Sequence, residues 1–183
     1  HTLELLTKYS RHRWNVYKLP ARRLERRLST AAQWFTQQIQ RAPKVHYDVV
    51  LVSDAMNLAE FLRLNPKLHH KASIAYFYCN QLAREAGAEQ QARLAVLSTA
   101  STATEIWFNS FFHMRDFLGY AAATFNAHQE LGGKEPLRAL VAKSQLMYPP
   151  VEIAPPARDA DLVDAERKSR TVCFDNREGA VSG

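Results

Sequence analysis

Polar side chains that could contact or transform a substrate follow several short apolar runs of this sequence. The candidate site residues are Asp54, Tyr78, Cys79, Asn80, Gln81, Asn109, Ser110 and His113. A carboxylate or an amide can orient a substrate hydroxyl, a thiol can act as a nucleophile, and an imidazole can carry a proton. Structural roles are open as well, because Asp54 can cap a helix, Cys79 can be a half-buried thiol and His113 can cover a helix surface. These residue types indicate a polar binding site and leave its reaction open.

The motifs of several enzyme classes are missing from this sequence. A glycine-rich phosphate loop is excluded from the N-terminal half, because the first glycine is Gly87. No Gly-x-Ser-x-Gly turn is present, and Cys79 has no base at a motif spacing. The adjacent pair His69 and His70 would point apart on a helix, so we expect no metal site. No motif predicts a bound cofactor.

Predicted strands and helices alternate along the chain. Short apolar or alternating runs predict strands, and an apolar period of about 3.6 residues predicts the helices between them. The predicted strands cover residues 14–19, 49–52, 74–77, 106–108 and 144–147. The predicted helices cover residues 21–41, 58–62, 82–104 and a segment after Ser110 that carries Phe112, Phe117 and Leu118. Ser53 or Asp54 is expected to cap the second helix, and Pro66 to end it.

This alternation predicts an α/β fold, in which a Rossmann-like parallel sheet carries helices on both faces. Ligands of such sheets bind at the carboxyl ends of the strands. The candidate site residues come directly after predicted strands, so we expect them to meet at that edge of the sheet.

Positive charge is concentrated near the N-terminus. Residues 8–44 hold ten Lys or Arg and one acid, whereas the whole chain has a net charge of +6. In the helix predicted over residues 21–41, leucines fall on one side and arginines on the other. These arginines, the candidate RNA phosphate contacts, are Arg22, Arg23, Arg26 and Arg27. A solvated helix face is the alternative to a surface that meets phosphate.

The length suits one domain and the start of another. Four prolines between positions 149 and 156 predict a linker. We divide the chain into a first domain over residues 1–150, an interdomain linker and helix over residues 151–170, and the truncated start of a second domain over residues 171–183. The chain begins without Met, and we expect sequence to be missing at both ends, including a strand before His1.

Cysteine content and hydropathy bear on the compartment. Cys79 and Cys173 do not form a Cys-x-x-Cys pair, so no disulfide framework is expected. No apolar run reaches the roughly 18 residues that a membrane span requires. We therefore expect a cytoplasmic protein with no membrane span.

Several stretches, in order along the chain, resemble the N-terminal domain of the tRNA-queuosine α-mannosyltransferases. They are Leu19-Pro20-Ala21-Arg22, Val52-Ser53-Asp54, Leu58-Ala59-Glu60-Phe61, Leu64-Asn65-Pro66, Tyr76-Phe77-Tyr78-Cys79-Asn80-Gln81-Leu82, Phe108-Asn109-Ser110-Phe111-Phe112-His113 and Lys143-Ser144-Gln145. Their order and spacing hold over residues 1–151. Each motif alone is weak, and the specificity of the resemblance comes from their order.

The resemblance implies a GT-B glycosyltransferase of the retaining group-4 type, which transfers mannose from GDP-mannose to queuosine in a tRNA anticodon. Residues 1–150 would be its Rossmann-like acceptor-side domain, the N-terminal half of a GT-B fold, with the candidate residues in the acceptor-side cleft. The tRNA is then the expected partner, and GDP-mannose would be bound as donor substrate by a C-terminal domain that begins near residue 171. The fragment alone is expected to be inactive.

The chain departs from the usual family pattern in two stretches. Leu24 and Arg26 replace part of a tryptophan-rich stretch after the Leu-Pro-Ala motif, although Arg27 matches. The family has His-Glu where this chain has Tyr78 and Cys79, and such a pair could provide acid-base or hydroxyl contacts in a cleft. Three hypotheses follow. The chain belongs to an enzyme that mannosylates queuosine, to a glycosyltransferase with another acceptor, such as a lipid-linked one at a membrane surface, or to a catalytically silent module that binds RNA or another anion.

Overall fold

Four of the five predicted strands pair into one parallel sheet. A computed structural model describes residues 2–19, 24–43, 45–53, 56–78, 90–128 and 134–152, apart from the side chains of residues 24–29 and 90–92. The strands are β1 (Val49–Ser53), β2 (Ala72–Phe77), β3 (Glu105–Phe108) and β4 (Ser144–Leu146), in the spatial order β1-β2-β3-β4. This sheet, with helices between its strands, confirms the expected α/β, Rossmann-like fold.

The register of the strands aligns their carboxyl ends. Phe77, the last residue of β2, lies beside Phe108, the last residue of β3. The pairing of β4 with β3 is also parallel. The residues that follow β2, β3 and β4 therefore meet at one edge of the sheet, and they are Tyr78, Asn109 and Met147.

Of the described helices, two precede the first strand and four lie between strands along the chain. They are α1 (Thr2–Tyr9), α2 (Leu24–Arg41), α3 (Leu58–Leu64), α4 (Gln90–Thr102), α5 (Phe111–Ala127) and α6 (Lys134–Ala142), with a 3-10 turn over Pro66–Leu68. Helix α2 packs on α3, α3 on α4, α4 on α6 and α6 on α5. As predicted, α3 ends before Pro66. Within the described residues, no helix has the length and apolar character needed to cross a membrane.

The apolar core lies on one face of the sheet. Side chains alternate along a strand, and the buried residues of this face are Val52, Ala75, Phe77, Ile106 and Phe108. Buried residues from α2 to α6 complete the core, and they are Ala31, Ala32, Leu58, Phe61, Leu62, Val96, Leu97, Ala100, Phe117, Ala121, Phe125 and Leu140. The hydrophobic effect, which favours the removal of these side chains from water, is the main force that holds the helices against the sheet. A helical layer on the opposite face stays a prediction.

Residues 14–19 do not form the strand that their alternation predicts. Instead Leu19 packs against the core, and the hydroxyls of Tyr17 and Tyr47 share a hydrogen bond of 3.0 Å. Burial, followed by this hydrogen bond, raises the pKa of Tyr47 to about 12. Alternation shows only that one side of a segment is covered, and here the core covers it without backbone pairing.

Asn57 caps α3, which corrects the expectation that Ser53 or Asp54 does so. Its side chain accepts a hydrogen bond of 3.2 Å from the backbone N–H three residues later. Ser53 is the last residue of β1, and Asp54 lies outside the described residues. Because a cap must reach the second or third N–H of its helix, a helix that begins at Leu58 needs its cap at position 57.

The chain divides into two units, His1–Tyr9 with Pro150–Gly183, and Ser10–Pro149. In the first, Glu152 Oε1 accepts hydrogen bonds of 2.7 Å from Lys8 Nζ and from the Tyr9 hydroxyl. Hydrogen bonding raises the pKa of Lys8 and lowers the pKa of Glu152. Residues 153–183 lie outside the described residues, so the domain boundaries drawn from the prolines stay a prediction.

Lys143 holds the C-terminal end of α4. Its ammonium donates hydrogen bonds to the carbonyl oxygens of Ser101 and Ala103, at 2.5 and 2.8 Å. Burial lowers the pKa of Lys143. A cation at this position satisfies carbonyl groups that have no partner within the helix, and it also interacts favourably with the helix dipole.

We expect Lys143→Met to lower the free energy of unfolding by about 1–2 kcal/mol, since both charge-assisted hydrogen bonds are lost. Arg138→Met is the matched control, because it removes an exposed pair with Glu135 at 2.7 Å that is worth at most about 0.5 kcal/mol. Urea denaturation of both variants measures the difference. Equal losses would contradict the capping role of Lys143.

Candidate functional site

Asn109 connects the ends of β2 and β3 at the carboxyl edge of the sheet. Its side-chain Nδ2 donates a hydrogen bond of 2.7 Å to the backbone carbonyl of Tyr78. A carbonyl can only accept, so this contact fixes the orientation of the amide and turns Oδ1 the other way. Asn109 thus ties together two loops that sequence reasoning had placed at the same edge.

The Oδ1 atom of Asn109 determines which nitrogen of His113 carries hydrogen. It lies 3.0 Å from His113 Nδ1 and also accepts a hydrogen bond of 3.3 Å from the Ser110 hydroxyl. Because Oδ1 is an acceptor, Nδ1 of His113 must be the donor in this contact. The neutral ring therefore carries its hydrogen on Nδ1.

Ser110 and His113 organise the start of α5. Ser110 is the N-cap, and its hydroxyl accepts a hydrogen bond of 3.2 Å from the backbone N–H of His113. The helix predicted after Ser110 therefore begins directly after this cap. The His113 side chain is only 6% exposed, and its ring meets Phe108 edge-on at 5.3 Å. Both residues therefore fix the geometry of the edge from beneath its surface.

Tyr78 contributes an aromatic surface to the same edge. Its side chain is 37% exposed, and its ring lies 4.5 Å from the ring of Tyr76. Tyr76 is buried, which raises its pKa, and its hydroxyl donates a hydrogen bond of 2.9 Å to the Met147 carbonyl. This bond links the ends of β2 and β4, as Asn109 links those of β2 and β3.

Two phenylalanines that sequence reasoning did not select stand beside this edge. Phe111 is 57% exposed and Phe112 is 69% exposed, both in the first turn of α5. The helix predicted after Ser110 carries Phe112, as expected, and this side chain lies on its exposed side. The signal lies in the spacing, because the buried residues Phe117, Ala121 and Phe125 repeat every four positions and place His113, not Phe112, on the buried side.

Thr99 fixes the chain where the loop after β1 enters α3. Its hydroxyl donates a hydrogen bond of 2.7 Å to the Met56 carbonyl and accepts one of 3.0 Å from the Leu58 N–H. Thr99 and Leu58 are fully buried, and Met56 is nearly so. No sequence motif points to this residue, whose partners lie far away in the chain.

Motif residues shared with the family include some with structural roles. Asn65 Nδ2 donates hydrogen bonds to Thr36 Oγ1 at 2.7 Å and to the Phe61 carbonyl at 2.8 Å, so it joins α2 to α3. Lys143, described above, caps α4. These motifs therefore carry information about the fold as well as about the site.

The other candidate residues are placed only in part. Asp54, Cys79, Asn80, Gln81, Arg22 and Arg23 lie outside the described residues, whereas Arg26 and Arg27 lie in α2. Across the described part of the chain, no three His, Cys, Asp or Glu side chains are grouped closely enough to hold a metal ion. The described edge exposes the side chains of Tyr78, Phe111 and Phe112 beside the partly exposed amide of Asn109, which suits a polar, flat ligand.

Comparisons with known proteins agree on one family. A family model described as tRNA-queuosine alpha-mannosyltransferase N-terminal matches residues 1–151. The Drosophila melanogaster protein named tRNA-queuosine alpha-mannosyltransferase is 30% identical over 141 residues, which are 74% of this chain and 37% of that relative. The chain thus spans little more than a third of this relative. No solved structure matches.

Proposed function

Because this chain belongs to the family of tRNA-queuosine alpha-mannosyltransferase N-terminal domains, we propose that it is the acceptor-side half of a GT-B glycosyltransferase that transfers mannose from GDP-mannose to queuosine in tRNA. The match over residues 1–151 is the observation that carries this proposal. The parallel sheet supports it, since such sheets bind ligands at their carboxyl edge. The cytoplasm is the compartment we propose.

In this proposal the carboxyl edge of the sheet receives the queuosine nucleoside. The Asn109 amide contacts the backbone carbonyl of Tyr78 and the ring of His113, so it joins the loop after β2 to the first turn of α5. Asp54, Cys79, Asn80 and Gln81 would complete the acceptor side of the cleft. The nucleotide sugar would be bound by a donor domain that follows this chain.

A catalytically silent RNA-binding module is the second candidate. It is favoured by Tyr78 and Cys79, which stand where the family has His and Glu. A phenol with an ordinary pKa of about 10 donates a hydrogen bond but is a poor base near neutral pH. In both candidates the chain binds tRNA, so tRNA binding tests what they share.

We expect the chain to bind queuosine-containing tRNA with an affinity that falls steeply as salt rises, because basic side chains displace counterions from phosphates. Reversing Arg22, Arg23, Arg26 and Arg27 to Glu should reduce the slope of log affinity against log salt by about 3, at roughly 0.7 per phosphate contact. Fluorescence anisotropy over a salt series measures this slope.

A variant with the same change in charge controls for non-specific attraction. Four other basic residues, none of which directly follows a strand, are changed to Glu together, and they are Arg41, Arg63, Lys67 and Lys71. We expect this control to alter the slope by less than half as much. Equal effects would remove the specific role of the arginines, and absence of binding at low salt would refute the proposed function.

A further inference from the structure

The first turn of α5 exposes a large aromatic surface. Phe111 and Phe112 are 57% and 69% exposed, so most of each ring remains in contact with water. Apolar side chains of this size are stabilised by burial, and exposed aromatic groups beside a candidate site are typical of binding surfaces.

Beside Phe112, the outer face of α5 forms a shallow groove. The guanidinium of Arg115 lies 5.9 Å from the centre of the Phe112 ring. The groove has a volume of about 310 Å3, and its lining residues are Arg115, Asp116, Gly119, Tyr120 and Ala123. A Cβ added at Gly119 would meet nothing within 4 Å, so the floor of the groove is open.

This surface is held rigidly at the edge where the acceptor is expected. Helix α5 begins directly after Asn109, and the Ser110 cap together with the contact between Asn109 and His113 fixes its first turn. Rigid aromatic groups lose little conformational entropy on binding. The rings are therefore placed in advance for a flat ligand that arrives at the carboxyl edge.

We propose that Phe111, Phe112 and Arg115, with the groove beside Gly119 and Tyr120, stack the unpaired bases of an RNA loop. Every base offers a flat face to an aromatic ring, and an arginine can stack on a base or pair with a phosphate. Arg115 already lies over the Phe112 ring, so a base that stacks on this ring meets a cation beside it, and RNA supplies both the base and the phosphate. This proposal rests on the proposed function, which supplies a tRNA as ligand, and it names the surface that holds the anticodon loop.

The test compares two RNA probes by fluorescence anisotropy at low salt. One is a queuosine-containing anticodon stem-loop, and the other is a fully paired duplex of the same length. We expect Phe112→Ala to weaken binding of the stem-loop about tenfold, in the range found for loss of one stacked base. Binding of the duplex should not change, because its bases are not available. Phe112→Trp should retain the affinity.

Matched variants separate stacking from damage to the fold. Leu94→Ala removes another exposed apolar side chain, on α4, and should leave both affinities unchanged. Gly119→Leu should fill the groove and weaken binding of the stem-loop, whereas Gly119→Ala should not. Thermal unfolding of each variant verifies that the domain remains folded.

Three results would overturn the proposal. If wild-type protein binds the stem-loop and Phe112→Ala binds it equally well, the stacking surface is wrong while the proposed function stands. If Phe112→Ala leaves RNA affinity intact but converts a dimer to a monomer in sedimentation, the surface joins two copies of this chain. If wild-type protein binds no tRNA at low salt, both the proposed function and this inference fail.

Discussion

Thr99→Val should lower the free energy of unfolding by about 3 kcal/mol, a large effect for a substitution that removes almost no buried volume. The two side chains have nearly the same shape, so no cavity is created. The change leaves the Met56 carbonyl and the Leu58 N–H buried without their partner. Each buried group that loses its hydrogen bond costs about 1–3 kcal/mol.

The control for this prediction is Thr99→Ser, which retains the hydroxyl and removes only a methyl group. We expect it to cost about 1 kcal/mol. Urea denaturation of both variants gives the comparison. A loss in Thr99→Val no larger than in Thr99→Ser would show that the hydroxyl adds nothing to stability and that packing alone holds α3 against α4.

The sheet was predictable from the sequence because its signal is local. β1, β2 and β3 each contain a short apolar run that a polar residue follows, and the alternation with helices predicts parallel pairing. The weaker signal of β4 is its position shortly before Pro149 and Pro150. Residues 14–19 carry the same local signal without forming a strand, since a strand also needs a partner that the local pattern does not specify. Helix α6 was missed because Pro136 in its first turn reads as a helix breaker.

The location of the candidate site at the carboxyl edge of the sheet was predictable from the sequence, but the hydrogen bonds within the site were not. Asn109, Ser110 and His113 were selected because they follow an apolar run, and the structure brings them together with Tyr78. The role of Thr99 could not be predicted from the sequence, because its partners lie 41 and 43 positions away and no periodicity connects them. Long-range hydrogen bonds of this kind depend on the folded geometry alone.

The second large effect that we expect is on the rate of mannosyl transfer, and it follows from the residues at positions 78 and 79. In a protein that carries this chain together with a donor domain, we expect slow mannosyl transfer to queuosine-containing tRNA. A general acid or base typically contributes 10²–10⁴-fold to a rate. Tyr78 offers a phenol and Cys79 a thiol where the family has His and Glu, and both are weak bases in their ordinary protonation states near neutral pH.

Restoring the pair should therefore raise the rate. Tyr78→His with Cys79→Glu is expected to increase kcat for transfer from GDP-mannose by about a hundredfold. We expect the fold to tolerate the substitution at position 78. Asn109 binds the backbone carbonyl of Tyr78, and this contact does not depend on the Tyr78 side chain. The Tyr78 side chain is also 37% exposed, so a smaller ring at this position leaves no large cavity.

Tyr78→Phe with Cys79→Ala is the matched control, since it alters both side chains without adding a base or a carboxylate. It should give no increase in rate. Transfer is followed as radioactive mannose incorporated into purified queuosine-containing tRNA, and the bound fraction of tRNA is measured in parallel. An increase in kcat without a change in tRNA affinity would assign the pair to the chemical step. Rapid transfer by the unaltered protein would show instead that this acceptor side works without His and Glu, and that acid-base groups for the reaction come from other residues of the cleft.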